Sequence, residues 1–185
     1  YFNKEEMDYD PAEHTPKGTQ TEYDNSNIQA ASFLNESLML QLHLMGLPAK
    51  KAFIGEEIIG SLNDEGYLTT DTIDLIRDID EIKADTEFKN EFFSILEVEE
   101  VLKELQNSLE PAGIAARNLQ ECLSIQIERS AIDSFLKRNS LKVINSHFEE
   151  LRLKNYEKLA KELNTSLEKV KKIFAATEKH IGNGN

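Results

Sequence analysis

The chain has 185 residues, a net charge of −13 at pH 7 and a hydrophobic share of 39%. This size and apolar content suit one domain or two small ones, each able to bury a core. A single cysteine excludes a disulfide framework and a cysteine-based metal site within the monomer. The N-terminus shows no signal peptide and no apolar run is long enough to span a bilayer, so we expect a cytoplasmic protein without a membrane partner.

Acidic and basic residues are segregated along the chain. Residues 1–128 carry a net charge of −18, whereas residues 129–185 carry +5. An acidic front and a basic back argue against uniform nucleic-acid binding and indicate that the two halves face different surroundings.

The chain begins with an acidic segment and continues with helical patterns. Residues 1–30 are rich in carboxylates and poor in aliphatic side chains, which predicts a largely disordered linker. A first helix then carries Leu34, Leu38 and Leu42 and ends near Gly46. Methionines and leucines lie on more than one face of this helix, which is typical of a helix buried on two sides or of one that awaits a partner.

Three further helices are predicted before residue 110. The second helix follows Pro48 and is separated by the turn 63–66 from a short third helix at about 70–79. The charged segment 80–93 follows, and we expect its phenylalanines, Phe88, Phe92 and Phe93, to fix it onto the core. Next comes a fourth helix that begins with a capping box. The box pairs Ser94 with Glu97.

The stretch from Ser108 to Leu123 has an order too specific for a generic helical hairpin. Proline stops a helix and biases the preceding residue away from helical geometry, so the fourth helix should end before Pro111. Gly113 supplies a backbone that tolerates positive φ. Asn118 is a suitable N-cap for the next helix, whose apolar residues begin at Leu119.

The apolar spacing of residues 131–181 predicts one long helix followed by a pair of helices. The long helix spans about 131–151. A short helix at 156–163, a turn at 164–166 and a helix at 167–181 with a Thr165–Glu168 capping box resemble a helix-turn-helix.

Three stretches resemble motifs of one protein family. The stretch 108–123, SLEPAGIAARNLQECL, resembles the Leu-Asp-Pro-x-Gly-(apolar)-x-Ala-Arg-Asp-Leu-x-Glu-Cys-Leu signature of the sigma-54 class of bacterial RNA polymerase sigma factors. Residues 61–68, SLNDEGYL, resemble the Asn-Leu-Asp-x-Asp-Gly-Tyr-Leu turn that lies upstream in the same family, and 37–42 resemble the helix that opens its polymerase-binding region. The resemblance covers roughly residues 32–181.

The resemblance implies an all-α protein of two helical subdomains, which we expect at 31–129 and 130–185, the second with the helix-turn-helix-like pair. The implied work is to hold a sigma factor on core RNA polymerase. An AAA-type ATPase activator would act through the full-length factor, and promoter DNA would be read mainly by regions outside this chain. On this view the chain is a fragment without the activator-responsive N-terminus and the C-terminal DNA-binding domain.

The family reading implies a set of candidate contact residues. Those expected to contact polymerase are Leu38, Leu42, Asn63, Asp64, Glu65, Arg117, Asn118 and Glu121. We also expect Arg117 to have a structural role, such as a clamp to Glu121 one turn later. Lysines that surround the helix-turn-helix-like pair are candidates for contact with DNA phosphate or polymerase. They are Lys158, Lys161, Lys169, Lys171 and Lys172.

Alternatives come from other classes of protein. A stand-alone helix-turn-helix regulator would bind duplex DNA, and a helical adaptor would bind another partner or dimerise through the 131–151 helix. Lysines without arginine or asparagine base-readers favour packing against polymerase over specific DNA reading. The four histidines lack metal-ligand spacing and no nucleophile or phosphate loop is recognisable, so we expect neither an enzyme nor a cofactor.

Overall fold

Amphipathic helices make up the regular structure of the chain between residues 19 and 181, and no strand occurs in that range. The structure is a computed structural model that describes the backbone of residues 19–181 and the side chains of residues 32–177. It confirms the all-α class. In chain order the α-helices are α1 (Thr19–Leu44), α2 (Ala49–Gly60), α3 (Thr72–Ile82), α4 (Ile95–Ser108), α5 (Leu119–Arg129), α6 (Ser134–Ser146), α7 (Phe148–Arg152), α8 (Tyr156–Glu162) and α9 (Leu167–Ile181).

Helices α1 to α4 bury one apolar core. α2 packs against α1 and α4, and α3 also packs against α4. Leu38, Leu42, Ile58, Val101 and Leu105 are fully buried in this core. Three ion pairs also join α2 to α4, with Lys50 on Glu97 and Lys51 on both Glu100 and Glu104.

A second core lies among α5 to α9. Leu123, Val143, Leu159 and Ile173 are buried there, each from a different helix. Helix α5 also contributes Cys122 and Ile125 to a small third cluster with Ala116. Helix α5 lies before the predicted subdomain boundary at 129/130, yet it takes part in the second core. The division of the chain at 129/130 stays a prediction.

The predicted capping residues are confirmed at two helices and wrong at a third. Ser94 and Glu97 form the capping box of α4, and the Asn118 side chain accepts a hydrogen bond from the Glu121 amide. Helix α9 begins at Leu167 as predicted, but Ser166 rather than Thr165 accepts a hydrogen bond from the amide of Lys169, the third helical residue.

Two longer segments also differ from expectation. Residues 19–30, predicted as disordered linker, form the first turns of α1, because this stretch contains neither proline nor glycine to interrupt a helix. Residues 1–18 lie outside the described residues. The predicted 131–151 helix is broken at His147 (φ −137°, ψ 35°), and this break separates α6 from α7. Serine and histidine at the junction have low helix propensity.

Residues 80–93 are fixed onto the first core as predicted, but by two of the three phenylalanines. The rings of Phe88 and Phe93 pack with Phe53, at centroid distances of 5.0 and 5.9 Å. Phe92 points outward and is 77% exposed. Within the described residues no helix is both long and apolar enough to cross a membrane.

Candidate interaction surface

Backbone hydrogen bonds join the 61–68 motif to the 108–123 motif. The amide of Ala115 donates to the carbonyl of Gly66 (2.9 Å), and the amide of Leu68 donates to the carbonyl of Ala116 (3.0 Å). Gly66 and Gly113 have φ values of 81° and 100°, a region that glycine adopts without strain. The two motifs therefore form one structural unit.

Asn63 shapes the turn in this unit. Its side-chain oxygen accepts hydrogen bonds from the amides of Glu65 (3.0 Å) and Tyr67 (2.9 Å). This is the way asparagine stabilises a tight turn. Asp64 and Glu65 are exposed at its tip. Their charges are therefore available to a partner, whereas the Asn63 oxygen is used inside the turn.

Arg117 is the centre of a polar cluster on three elements. Its guanidinium contacts the carboxylates of Glu99 on α4 and Glu121 on α5, and the Glu121 carboxylate also accepts from the Arg117 amide. Thr72, at the start of α3, donates to Glu99. The predicted clamp between Arg117 and Glu121 is present in the structure, and Glu99 is a partner that sequence spacing did not reveal.

Electrostatics favour the charged forms in this cluster. Burial opposes ionisation of Glu99, but hydrogen bonds from Thr72 and Arg117 outweigh it and lower the pKa of this carboxyl. Burial also opposes the charge on Arg117, yet Glu99 and Glu121 raise the pKa of the guanidinium. The cluster is therefore a set of satisfied charges suited to holding α3, α4 and α5 together, and it leaves no reactive group unpaired.

A second set of polar contacts connects the C-terminal ends of α4 and α5. Arg129 donates to the carbonyl of Leu109 and pairs with the Glu110 carboxylate. Gln41 of α1 exchanges two hydrogen bonds with the Glu110 backbone, at 2.7 and 3.0 Å. Polar contacts from α1 and α5 therefore fix the two residues that precede Pro111.

Leu38 and Leu42 are 1% exposed and belong to the first core. Direct contact of these two leucines with a partner is therefore not supported, because both side chains pack inside the protein's own core. Leu38 does lie at the base of a cleft of about 330 Å³ that is also lined by Asn63 and Asp64. Among the described side chains of α1, the large apolar residues that are exposed are Phe33 (75%), Leu40 (62%) and Leu44 (78%).

The five rear lysines differ in their surroundings. Lys158 pairs with Glu150 and Lys172 with Glu168, while the Lys169 ammonium lies 5.3 Å from the centre of the Phe135 ring. Lys161 and Lys171 are exposed. The helix-turn-helix-like pair therefore keeps part of its positive charge for an external group.

Sequence reasoning missed an apolar groove between α3 and the start of α4. It is lined by Ile73 and Ile76 of α3 and by Phe92, Ile95 and Leu96. A signal was present in Leu96, which precedes the buried Val98 stripe and does not share its spacing, whereas Ile95 continues that spacing three residues before Val98.

The chain is similar to known proteins of one family. The family model described as "Sigma-54 factor, core binding domain" matches residues 24–179, which include both joined motifs. The chain belongs to this family. This sigma-54 core-binding domain is 27% identical to the RNA polymerase sigma-54 factor of Pseudomonas aeruginosa (strain UCBPP-PA14) over 88% of the chain. It is 32% identical to that of Bacillus subtilis (strain 168) over 76% of the chain, and 29% identical to that of Escherichia coli (strain K12) over 62%.

The matched relatives are much longer than this sigma-54 core-binding domain. It covers 31% of the Pseudomonas aeruginosa protein, 28% of the Bacillus subtilis protein and 23% of the Escherichia coli protein. The chain thus spans less than a third of the length of these relatives.

Proposed function

We propose that the chain binds core RNA polymerase and holds a sigma-54-type factor on it. In this role the chain is a binding module and not an enzyme. The complex would open promoter DNA after remodelling by an AAA-type ATPase activator that acts through the full-length factor. The observation that carries the proposal is the core-binding family match over residues 24–179.

The net charge of residues 32–128 supports a polymerase partner. Residues 32–128 carry a net charge of −13, and Asp64 and Glu65 lie exposed on the turn that the two motifs build. Complementary charge speeds association with a basic surface and repels DNA from the same face. We propose Asp64 and Glu65 as contact residues on this basis.

The remaining polar candidates have a positioning role in this proposal. Arg117, Asn118 and Glu121 are engaged with α4, α5 and one another, and Asn63 is engaged in its own turn. These side chains would present the turn and the loop to polymerase in one fixed geometry. A fixed surface loses less conformational entropy on binding than a mobile one.

Co-elution with core polymerase tests the proposal. The chain would be mixed with bacterial core RNA polymerase at moderate salt and passed over a size-exclusion column, with the chain plus duplex DNA as a control. We expect the chain to move to the polymerase peak and not to the DNA peak. Elution of the chain alone in both mixtures would contradict the proposal.

A second candidate function is weak contact of the α8–α9 pair with DNA. It is favoured by the exposed Lys161 and Lys171 and by the net charge of +5 on residues 129–185. Lysines on such a pair would bind phosphate without reading sequence. Charge reversal, Lys161→Glu with Lys171→Glu, would abolish any salt-dependent retention on duplex DNA. Unchanged retention in the double variant would contradict this function.

A further inference from the structure

The groove between α3 and α4 exposes an unusual amount of apolar side chain. Leu96 is 80% exposed, Phe92 77%, Ile73 63% and Ile95 50%. These four residues line one concave surface with a volume of about 560 Å³. A contiguous apolar patch of this kind marks a site that another molecule covers, whereas single exposed leucines need no explanation.

Contacts within the protein fix the backbone that forms the groove. Phe93, at its base, is 2% exposed and packs edge-on to Phe88 with 6.5 Å between ring centres. Lys50 donates to the carbonyl of Phe92 (2.8 Å), and Lys83 donates to the carbonyl of Glu91 (2.7 Å). Both ammonium groups also lie over the Phe93 ring, at 5.0 and 5.5 Å from its centre. The backbone that carries Phe92 is thus fixed, so its exposure is a feature of the fold.

Acidic side chains surround the groove. Glu91 precedes Phe92, and Glu99 and Glu100 follow one turn after Ile95 and Leu96 on the same side of α4. Glu91 and Glu100 are 54% and 61% exposed. These three carboxylates are paired, Glu91 with Lys50 (3.9 Å), Glu99 with Arg117 and Glu100 with Lys51 (3.0 Å). Residues 71–100, which form the groove, nevertheless carry a net charge of −8, and the three cations reduce it only to −5. A partner would therefore meet an apolar floor and a negative rim.

We propose that this groove binds an amphipathic helix of core RNA polymerase with aliphatic or aromatic residues at positions i, i+3 or i+4, and i+7, flanked by lysine or arginine. An apolar face laid into a groove is a recurring mode of helix recognition, and the negative rim selects a basic flank. The proposal rests on the proposed function, since it names the surface and the kind of polymerase element that meet.

Binding measurements on matched variants test the groove. The full chain, labelled with a fluorophore, would be titrated with core polymerase in three forms. The first is the unaltered chain, the second carries Phe92→Ser with Leu96→Ser, and the control carries Leu153→Ser with Leu167→Ser, which are exposed apolar residues at the rear. We expect the groove variant to bind at least about tenfold more weakly, as truncation of two central apolar contacts commonly causes, while the control stays within about twofold. Helical circular dichroism of all three would show that the fold is retained.

The outcomes separate the two proposals. Failure of the unaltered chain to bind polymerase would overturn both. Normal binding of the groove variant, or equal weakening of both variants, would overturn the groove alone. A photoreactive phenylalanine analogue at position 92 adds a direct readout: we expect it to crosslink to a basic amphipathic helix of polymerase, and a crosslink to an acidic segment would overturn the proposal.

Discussion

The amide of Ala115 donates a hydrogen bond to the carbonyl of Gly66, at 2.9 Å, and so joins two motifs that are far apart in the chain. The contact requires a close approach of the two backbones. A Cβ atom on Gly66 would lie 2.6 Å from Cδ1 of Ile114, the neighbour of Ala115. The polar turn at 63–65 is therefore held against the loop that carries Arg117 by a contact at which any side chain would displace Ile114 and strain a backbone at φ +81°.

Gly113→Ala should destabilise the fold strongly. The residue has φ +100°, and a Cβ atom there would lie 2.6 Å from the Cys122 sulfur. Strained φ and overpacking together should lower the free energy of unfolding by about 2–4 kcal/mol. Urea denaturation would measure the loss. Gly60→Ala is the matched control, because a Cβ there meets no atom within 4 Å and alanine favours the helix by about 0.5–1 kcal/mol. Equal effects of the two substitutions would contradict this explanation.

Arg117→Gln should destabilise the chain through the loss of two carboxylate partners. Glu99 would then be left half-buried beside Thr72 alone. Because the Arg117 side chain is 37% exposed, solvent screening reduces the loss. We expect the free energy of unfolding to fall by about 1–2 kcal/mol. Arg152→Gln, which removes an exposed pair with Glu149, should change it little. A smaller loss for Arg117 than for Arg152 would contradict the structural role.

Acid should remove the contribution of Glu99. The folded-state pKa of Glu99 is lowered, so its charged form stabilises the fold fully above the unfolded value of about 4.3. That contribution is lost as pH falls from there through the folded pKa. Glu99→Gln should therefore destabilise the chain at pH 7 and progressively less below pH 4. Urea midpoints of both proteins across this range would measure it, and a constant gap would contradict the prediction.

Glu57 should show the opposite sign. Burial, with repulsion from Glu56 and Asp78, raises the pKa of this carboxyl. A raised carboxyl pKa means that the charged form costs stability above that pKa and that the cost is relieved as pH falls through it. Glu57→Gln should increase the free energy of unfolding at pH 7 by about 0.5 kcal/mol and have no such effect near pH 4. Glu87→Gln, at an exposed site, serves as control. Destabilisation by Glu57→Gln at pH 7 would contradict the prediction.

Sequence patterns predicted the local structure well where a residue type has one physical use. Pro111 as a helix stop, Gly113 at positive φ, and Asn118 and Ser94 as caps all follow from backbone chemistry and are present in the structure. The prediction of a continuous 131–151 helix was wrong because apolar periodicity persists across His147 while the backbone does not remain helical there. A period of 3.6 residues does not reveal a break between two helices that bury the same stripe.

The sequence alone did not predict which residues from separate helices come into contact. The spacing of Arg117 and Glu121 shows that they share a helical face, but Glu99 and Thr72 meet Arg117 only through the packing of α3 and α4. The same packing exposes Ile73 beside Leu96 and creates the groove. Helical periodicity distinguishes a core stripe from the rest of a helix. It does not show which off-stripe residues from separate helices form one surface.

Polymerase affinity without DNA affinity is the property that most directly tests the proposed function. The fluorescently labelled chain would be titrated by anisotropy with core RNA polymerase and, separately, with duplex DNA, each at several salt concentrations. We predict saturable binding to polymerase and no binding to duplex DNA at moderate salt. Steeply salt-dependent binding to DNA together with no binding to polymerase would contradict it and would favour a helix-turn-helix regulator.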